Sequence, residues 1–107
     1  VGFVDVLEHE DRAIRRVAGN HPAYITIDID GLDPTEAPGT GVPEPGGIYM
    51  RDLQMILRAM TGMNIIGGDI CEVVPDLDPT GITCINAANL MFELTCLAAV
   101  AHPRRRA

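Results

Sequence analysis

Apolar and polar positions along this chain change period several times, and each period predicts an element. Ala23 to Ile27 is an apolar run whose Tyr24, Ile25, Thr26 and Ile27 are the β-branched and aromatic types that suit a strand. Alternation then places Ile25, Ile27 and Ile29 on one face and Thr26, Asp28 and Asp30 on the other. A second buried strand is predicted over Asn64 to Val74. Between the two, Met50, Leu53, Ile56, Leu57 and Met60 recur at helical spacing as core positions, and Gly62 ends that helix. Thr83 to Ala101 predicts a long helix, apolar over much of its circumference, with His102-Pro103 as its stop. Upstream, Glu8 to Ala18 reads as a helix closed by Gly19-Asn20, with Arg12, Arg15 and Arg16 as a solvated face. Val1 to Leu7 reads as the tail of a further strand, and His9, His21 and His102 share no metal-ligand spacing.

The order strand, helix, strand implies an α/β fold with a parallel pair and a right-handed crossover. Both strands then end on one edge, which is where open α/β sheets bind ligands. Gly31 and Asp33-Pro34 break the first strand just past Asp28 and Asp30. Strand residues two apart have Cα atoms roughly 6.6 Å apart. Their carboxylates can therefore converge on one cation, or on two that share a bridging carboxylate. Glu72, at the end of the second strand, is expected to stand near them.

Each acid has a plainer structural reading. Asp30 or Asp33 could bond its own backbone in a turn, and Glu72 could face water before Pro75. A calcium loop is rejected, because Leu32 takes its third ligand position and Gly39 stands where the closing Glu belongs. Asp76-Leu77-Asp78 lies between prolines and reads as a turn. Asp69, beside two glycines in an apolar strand, is expected to bond backbone or a neighbouring loop and is left out of the site.

Composition adjusts this picture. The 107 residues allow one domain with a modest core, and 47% apolar content argues for a folded chain. The net charge is −7 and all eight basic residues are Arg, three of them in Arg104-Arg105-Arg106. An acidic body argues against nucleic acid and suits metal ions or guanidinium groups. No apolar run approaches membrane-spanning length, so no membrane partner is expected. Cys71, Cys84 and Cys96 form no C-x-x-C pair and read as buried thiols of a reducing compartment, with the cytoplasm as the expected location.

The run from Asp28 to Gly47, D-I-D-G-L-D-P-T-E-A-P-G-T-G-V-P-E-P-G-G, would otherwise pass for a Pro/Gly linker. It resembles the signature of the ureohydrolase family of arginases, agmatinases and related amidinohydrolases, and its wording is closer to the agmatinase branch. Thr26 departs slightly, since the family usually has Ser there. Glu72-Val73-Val74-Pro75 resembles the family's E-V-x-P stretch, whose Glu binds the substrate guanidinium.

The resemblance covers roughly Tyr24 to Val100. It implies part of a three-layer arginase-like fold with a mostly parallel sheet flanked by helices. It implies two divalent ions, usually manganese, that activate a water for attack on a guanidino compound, releasing urea and an amine. Asp28 would bridge the ions and Asp30 would bind one of them. Glu72 would hold the guanidinium, and Thr40 and Gly41 would line the pocket. Carboxylate ligands suit manganese and magnesium and also admit nickel or zinc.

Two family motifs, G-G-D-H-S and D-A-H-x-D, are missing. Gly67-Gly68-Asp69 is not the first of them, because Ile70 stands where His belongs. Residues 1–101 are therefore expected to be the C-terminal part of a catalytic domain, with 102–107 an Arg-rich tail. Such a chain is expected to hold metal poorly alone, to be inactive alone, and to work as a homo-oligomer.

A rival class starts from the same D-x-D-G, which also resembles the haloacid dehalogenase phosphatases. There Asp28 would be the nucleophile, Asp30 the acid/base and Asp69 a magnesium ligand. Leu32 in place of Thr, the absence of any Lys, and the unexplained Pro/Gly loop count against it. A third reading keeps the ureohydrolase fold as a non-catalytic subunit.

Overall fold

The computed structural model describes residues 12–106. Strands β1 (Ala23–Asp28) and β2 (Ile65–Cys71) pair in parallel, as the strand, helix, strand order predicts. After an irregularity between Ala23 and Tyr24, the register matches Tyr24 with Gly67, Thr26 with Asp69 and Asp28 with Cys71. Ile25 and Ile27 thus share a face with Gly68 and Ile70, while Tyr24, Thr26 and Asp28 share the other with Asp69 and Cys71.

The first face is covered by helix α3 (Ile82–Arg106). The approach is close. A Cβ added at Gly68 would meet Leu94 Cδ1 at 3.0 Å and the Ile25 carbonyl oxygen at 2.8 Å. Helix α2 (Met50–Ala59) lies against α3. Leu57, Met60 and Met63 join Leu90, Leu94 and Leu97 in one core with Ile29 and Leu32.

Polar bridges fix the helices to one another. Gln54 Nε2 donates to Asn89 Oδ1 at 2.7 Å. Arg58 donates from Nε at 3.1 Å and Nη2 at 2.6 Å to Glu93 Oε1. A helical stretch, α1, spans residues 12–18 and ends at Gly19, whose φ of +53° no β-carbon opposes. Arg12, Arg15 and Arg16 are exposed, as a solvated face predicts, but Arg15 is also tied down. The guanidinium donates to the carbonyls of Ala59 and Thr61 and so closes the carboxyl end of α2. Glu8 to Asp11, His9 and the strand read over Val1 to Leu7 lie outside the described residues.

Two boundaries differ from expectation. β2 stops at Cys71 instead of Val74, because Glu72 takes a left-handed φ of +68°. α3 does not stop at His102-Pro103; Pro103 removes one N–H donor, yet the helical backbone continues to Arg106. Within α3, Ile82–His102 is also long and apolar enough to cross a membrane by length and composition. The apolar runs hide this, because Thr83, Asn86, Asn89 and Glu93 interrupt them. On the folded helix those four residues bond to other parts of the chain.

The Pro/Gly stretch is no linker. Leu32 and Ile48 form a bridge, with Asp33 N–H on the Ile48 carbonyl at 2.9 Å and Ile48 N–H on the Gly31 carbonyl at 3.0 Å. Glu36 Oε1 accepts the Met50 N–H at 2.9 Å, capping α2 from fourteen residues upstream. Asn86 Nδ2 donates to the Glu36 carbonyl at 2.7 Å and ties the same loop to α3.

Candidate functional site

β1 carries Asp28 to the carboxyl edge of the sheet, where it is exposed. The chain then tightens into a 3-10 turn, Ile29–Gly31. Alternation fails at this point. Asp30 is not a strand residue; it comes from the turn, and its N–H donates to Asp28 Oδ1 at 3.0 Å. Ile29 is drawn fully into the core, which leaves Asp30 beside Asp28 at the edge.

The Asp30 carboxyl is held above the usual carboxylate range. Its hydrogen bond to the Asp28 carboxyl is the main cause, followed by desolvation and by the charges of Asp28, Glu72 and Glu44. Glu72, exposed and one residue past the end of β2, therefore acts on Asp30 as the parallel pairing led us to expect. Extended backbone at Glu72 would send its side chain to the face opposite Cys71; the left-handed φ breaks that alternation.

Glu44 is the acid that the sequence pattern passed over. It lies in the Pro/Gly loop, and only the folding back of residues 46–48 onto Gly31 and Asp33 brings its charge to Asp30. The signal available was its place within P-E-P-G-G, where the two glycines permit that close return.

Thr40 and Gly41 part company. Thr40 is 2% exposed and its buried Oγ1 has no hydrogen-bond partner, whereas Gly41 is on the surface. Among the described residues neither is hydrogen-bonded to Asp28, Asp30 or Glu72.

Asp33 takes the turn role. It accepts from the Thr35 N–H at 3.0 Å, the Thr35 hydroxyl at 2.7 Å and the Gly46 N–H at 3.2 Å. The Thr35 hydroxyl is the largest of the bonds that hold its carboxyl below the usual range.

Asp69 also stays out of the acid group, but not by bonding backbone or a loop. Its carboxylate accepts the hydroxyls of Thr26 and Tyr24 on the neighbouring strand, both at 2.7 Å. Those bonds, Thr26 first, hold it below the usual range. The thiols are not buried as expected: Cys71 and Cys96 are exposed and Cys84 is half-buried. Desolvation, then the Asp28 charge, raises the Cys71 thiol. An apolar cavity lined by Ile14, Val17, Tyr24, Met60 and Met63 includes none of the acids.

The donor set suits a hard divalent cation. Asp28, Asp30, Glu44 and Glu72 offer carboxylate oxygens only, and among the described residues no basic side chain pairs with them. It is an incomplete set, since no three His, Cys, Asp or Glu side chains among the described residues are arranged to hold an ion by themselves.

The model of the arginase family matches residues 4–97. The chain belongs to the arginase family. A guanidinopropionase of Pseudomonas aeruginosa is 46% identical over 85 residues, which are 79% of this chain and 27% of that protein. A mitochondrial agmatinase of Gallus gallus is 46% identical over 84 residues, 78% of this chain and 25% of its own length. Among solved structures, the proclavaminate amidino hydrolase of Streptomyces clavuligerus superposes with a TM-score of 0.86 at 40% identity, over 90% of this chain and 32% of that one. This arginase-family chain thus spans about a quarter of the length of the curated relatives it matches. The α/β arginase-like fold, with a parallel sheet flanked by helices, stands. The haloacid dehalogenase reading falls with it.

Proposed function

We propose that this chain supplies part of the site of an agmatinase-like amidinohydrolase with two metal ions, which hydrolyses a guanidino compound to an amine and urea. The observation that carries the reading is the placement of Asp28 at the end of β1, Asp30 in the turn that follows and Glu72 one residue past β2, all at the carboxyl edge of one parallel strand pair. Asp28 and Asp30 would hold the metal, for which their crowded, unpaired carboxyls provide hard oxygen donors. Divalent manganese, when bound, would supply an activated water near neutral pH.

Glu72 would accept paired N–H bonds from the planar guanidinium and orient its carbon toward the two aspartates. Glu44 adds negative charge where a cationic substrate would enter. Thr40, with its unpartnered hydroxyl, and Gly41 would lie along the pocket wall. Because no three-ligand cluster is present among the described residues, the chain by itself would hold metal weakly and turn over little substrate.

The test is a screen for urea release from agmatine, 3-guanidinopropionate, 4-guanidinobutyrate, arginine and free guanidine by the manganese-loaded enzyme. Urea from any of these supports the reading and ranks the substrates. Phosphate release from phosphate esters with no urea from the panel would overturn it.

A further inference from the structure

Glu72 is the one non-glycine among the described residues with a positive φ. A side chain in that region persists only where its surroundings over-determine it. The constraint comes from both flanks. On one side Cys71 is held in register with Asp28 by the strand ladder. On the other, Val74 N–H donates to the Gly39 carbonyl at 2.8 Å.

Gly39 is itself clamped. Its N–H donates to the buried Thr83 Oγ1 at 2.8 Å. A Cβ added to Gly39 would stand 2.9 Å from both Asp78 Cβ and Thr83 Oγ1. Thr83 is fully buried and donates its hydroxyl to Asp78 Oδ2 at 2.7 Å. Asp78, also buried, accepts further bonds from the Thr83 N–H at 2.8 Å and the Thr80 N–H at 3.1 Å. A chain of bonds thus runs from the buried start of α3 through Gly39 to Val74, two residues past Glu72.

We infer that Thr83, acting with Asp78 through Gly39, is a positioning residue for the Glu72 carboxylate. Thr83 touches no acid of the site. Its hydroxyl bridges Asp78 and the Gly39 N–H and so fixes the carbonyl that holds Val74. That fixes the exit of the chain from Glu72, and with it the direction of the carboxylate. The inference rests on the proposed contact between Glu72 and the guanidinium.

The test is Thr83→Val in the active, manganese-loaded enzyme, a change that removes the hydroxyl and keeps the volume. Displacing a substrate-orienting group by an ångström is enough to lower kcat/KM by about tenfold or more. That loss is expected with metal content unchanged by elemental analysis, and Thr83→Ser should recover activity to within about twofold. In a Glu72→Gln background, Thr83→Val should cost nothing further, because the group it positions is gone. Wild-type kcat/KM in Thr83→Val, or a loss that multiplies onto Glu72→Gln, overturns the inference while leaving the role of Glu72 intact. Full activity in Glu72→Gln itself overturns the reading of Glu72 and the inference with it. Should Thr83→Val not fold, Gly39→Ala strains the same link and takes the same readouts.

Discussion

The main-chain N–H of Asp30 donates to Oδ1 of Asp28 at 3.0 Å, so the two acids meet across a turn and not along a strand. Asp28 is therefore both a proposed ligand and the cap of the turn that presents Asp30. Asp28→Asn is expected to lose bound metal and activity together in the manganese-loaded enzyme. Glu72→Gln should keep its metal while kcat/KM falls by roughly two orders of magnitude, as for a group that orients substrate. Elemental analysis beside steady-state kinetics separates the two; equal metal loss in both variants would make Glu72 a ligand or a structural residue.

Asp28 and Glu72 were legible because a parallel pair brings strand ends to one edge, whatever surrounds it. Asp30 was placed beside Asp28 by the wrong backbone. Ile29 continues the apolar alternation on paper, but the core draws it in and the chain turns. Asp78 takes the turn role its place between prolines predicts, accepting from Thr80 and Thr83, whereas Arg15, Glu36 and Thr83 could not be read locally at all. Each of these three bonds a partner that only the folded loop or helix brings near, up to 46 residues away for Arg15 and Thr61. The end of α3 failed for another reason: a proline removes one bond, which a long helix can absorb.

Gly46 and Gly47 make different demands. Gly46 has a φ of +83°, and its N–H reaches Asp33. At Gly47 the limit is space: an added Cβ would lie 2.6 Å from the Leu32 carbonyl carbon and 2.7 Å from the Asp33 nitrogen. Gly47→Ala must push two backbone segments apart, at a cost of about 2 kcal/mol. Gly46→Ala meets nothing and costs about 1 kcal/mol through its backbone conformation. Denaturant melts should rank Gly47→Ala as the more damaging. The reverse order would mean that the loop relaxes away from residues 31–33.

Asp78 sets an acid limit on stability. Bonds from the Thr80 and Thr83 hydroxyls, with backbone N–H groups behind them, lower its carboxyl from 3.8 to about 2. A depressed carboxylate stabilises the fold above its unfolded value, and the contribution is lost as pH falls through the folded value. The stability gap between wild type and Asp78→Asn should therefore be constant above about pH 5. It should close as the pH drops from 3.8 toward about 2. A gap that stays level across that window would show that the cap acts through shape and not through charge.

The outer side of α3 carries the last expectation. Ile85 and Phe92 are 62% and 66% exposed and stand seven residues apart, which places them on one face of the helix. Met91 and Val100 add to the exposed apolar surface. Among the described residues β1 and β2 pair only with each other, so each strand also leaves one edge open. Covering a large apolar side chain is worth about 2 kcal/mol, and open strand edges add hydrogen bonds to that gain. The 107-residue chain should therefore associate with its own copies at micromolar concentration. If the helix face drives this, Ile85→Ser with Phe92→Ser shifts the light-scattering mass toward monomer; if the strand edges drive it, the mass stays put. A wild-type chain that is monomeric and unfolds in one cooperative step would refute self-association by either route.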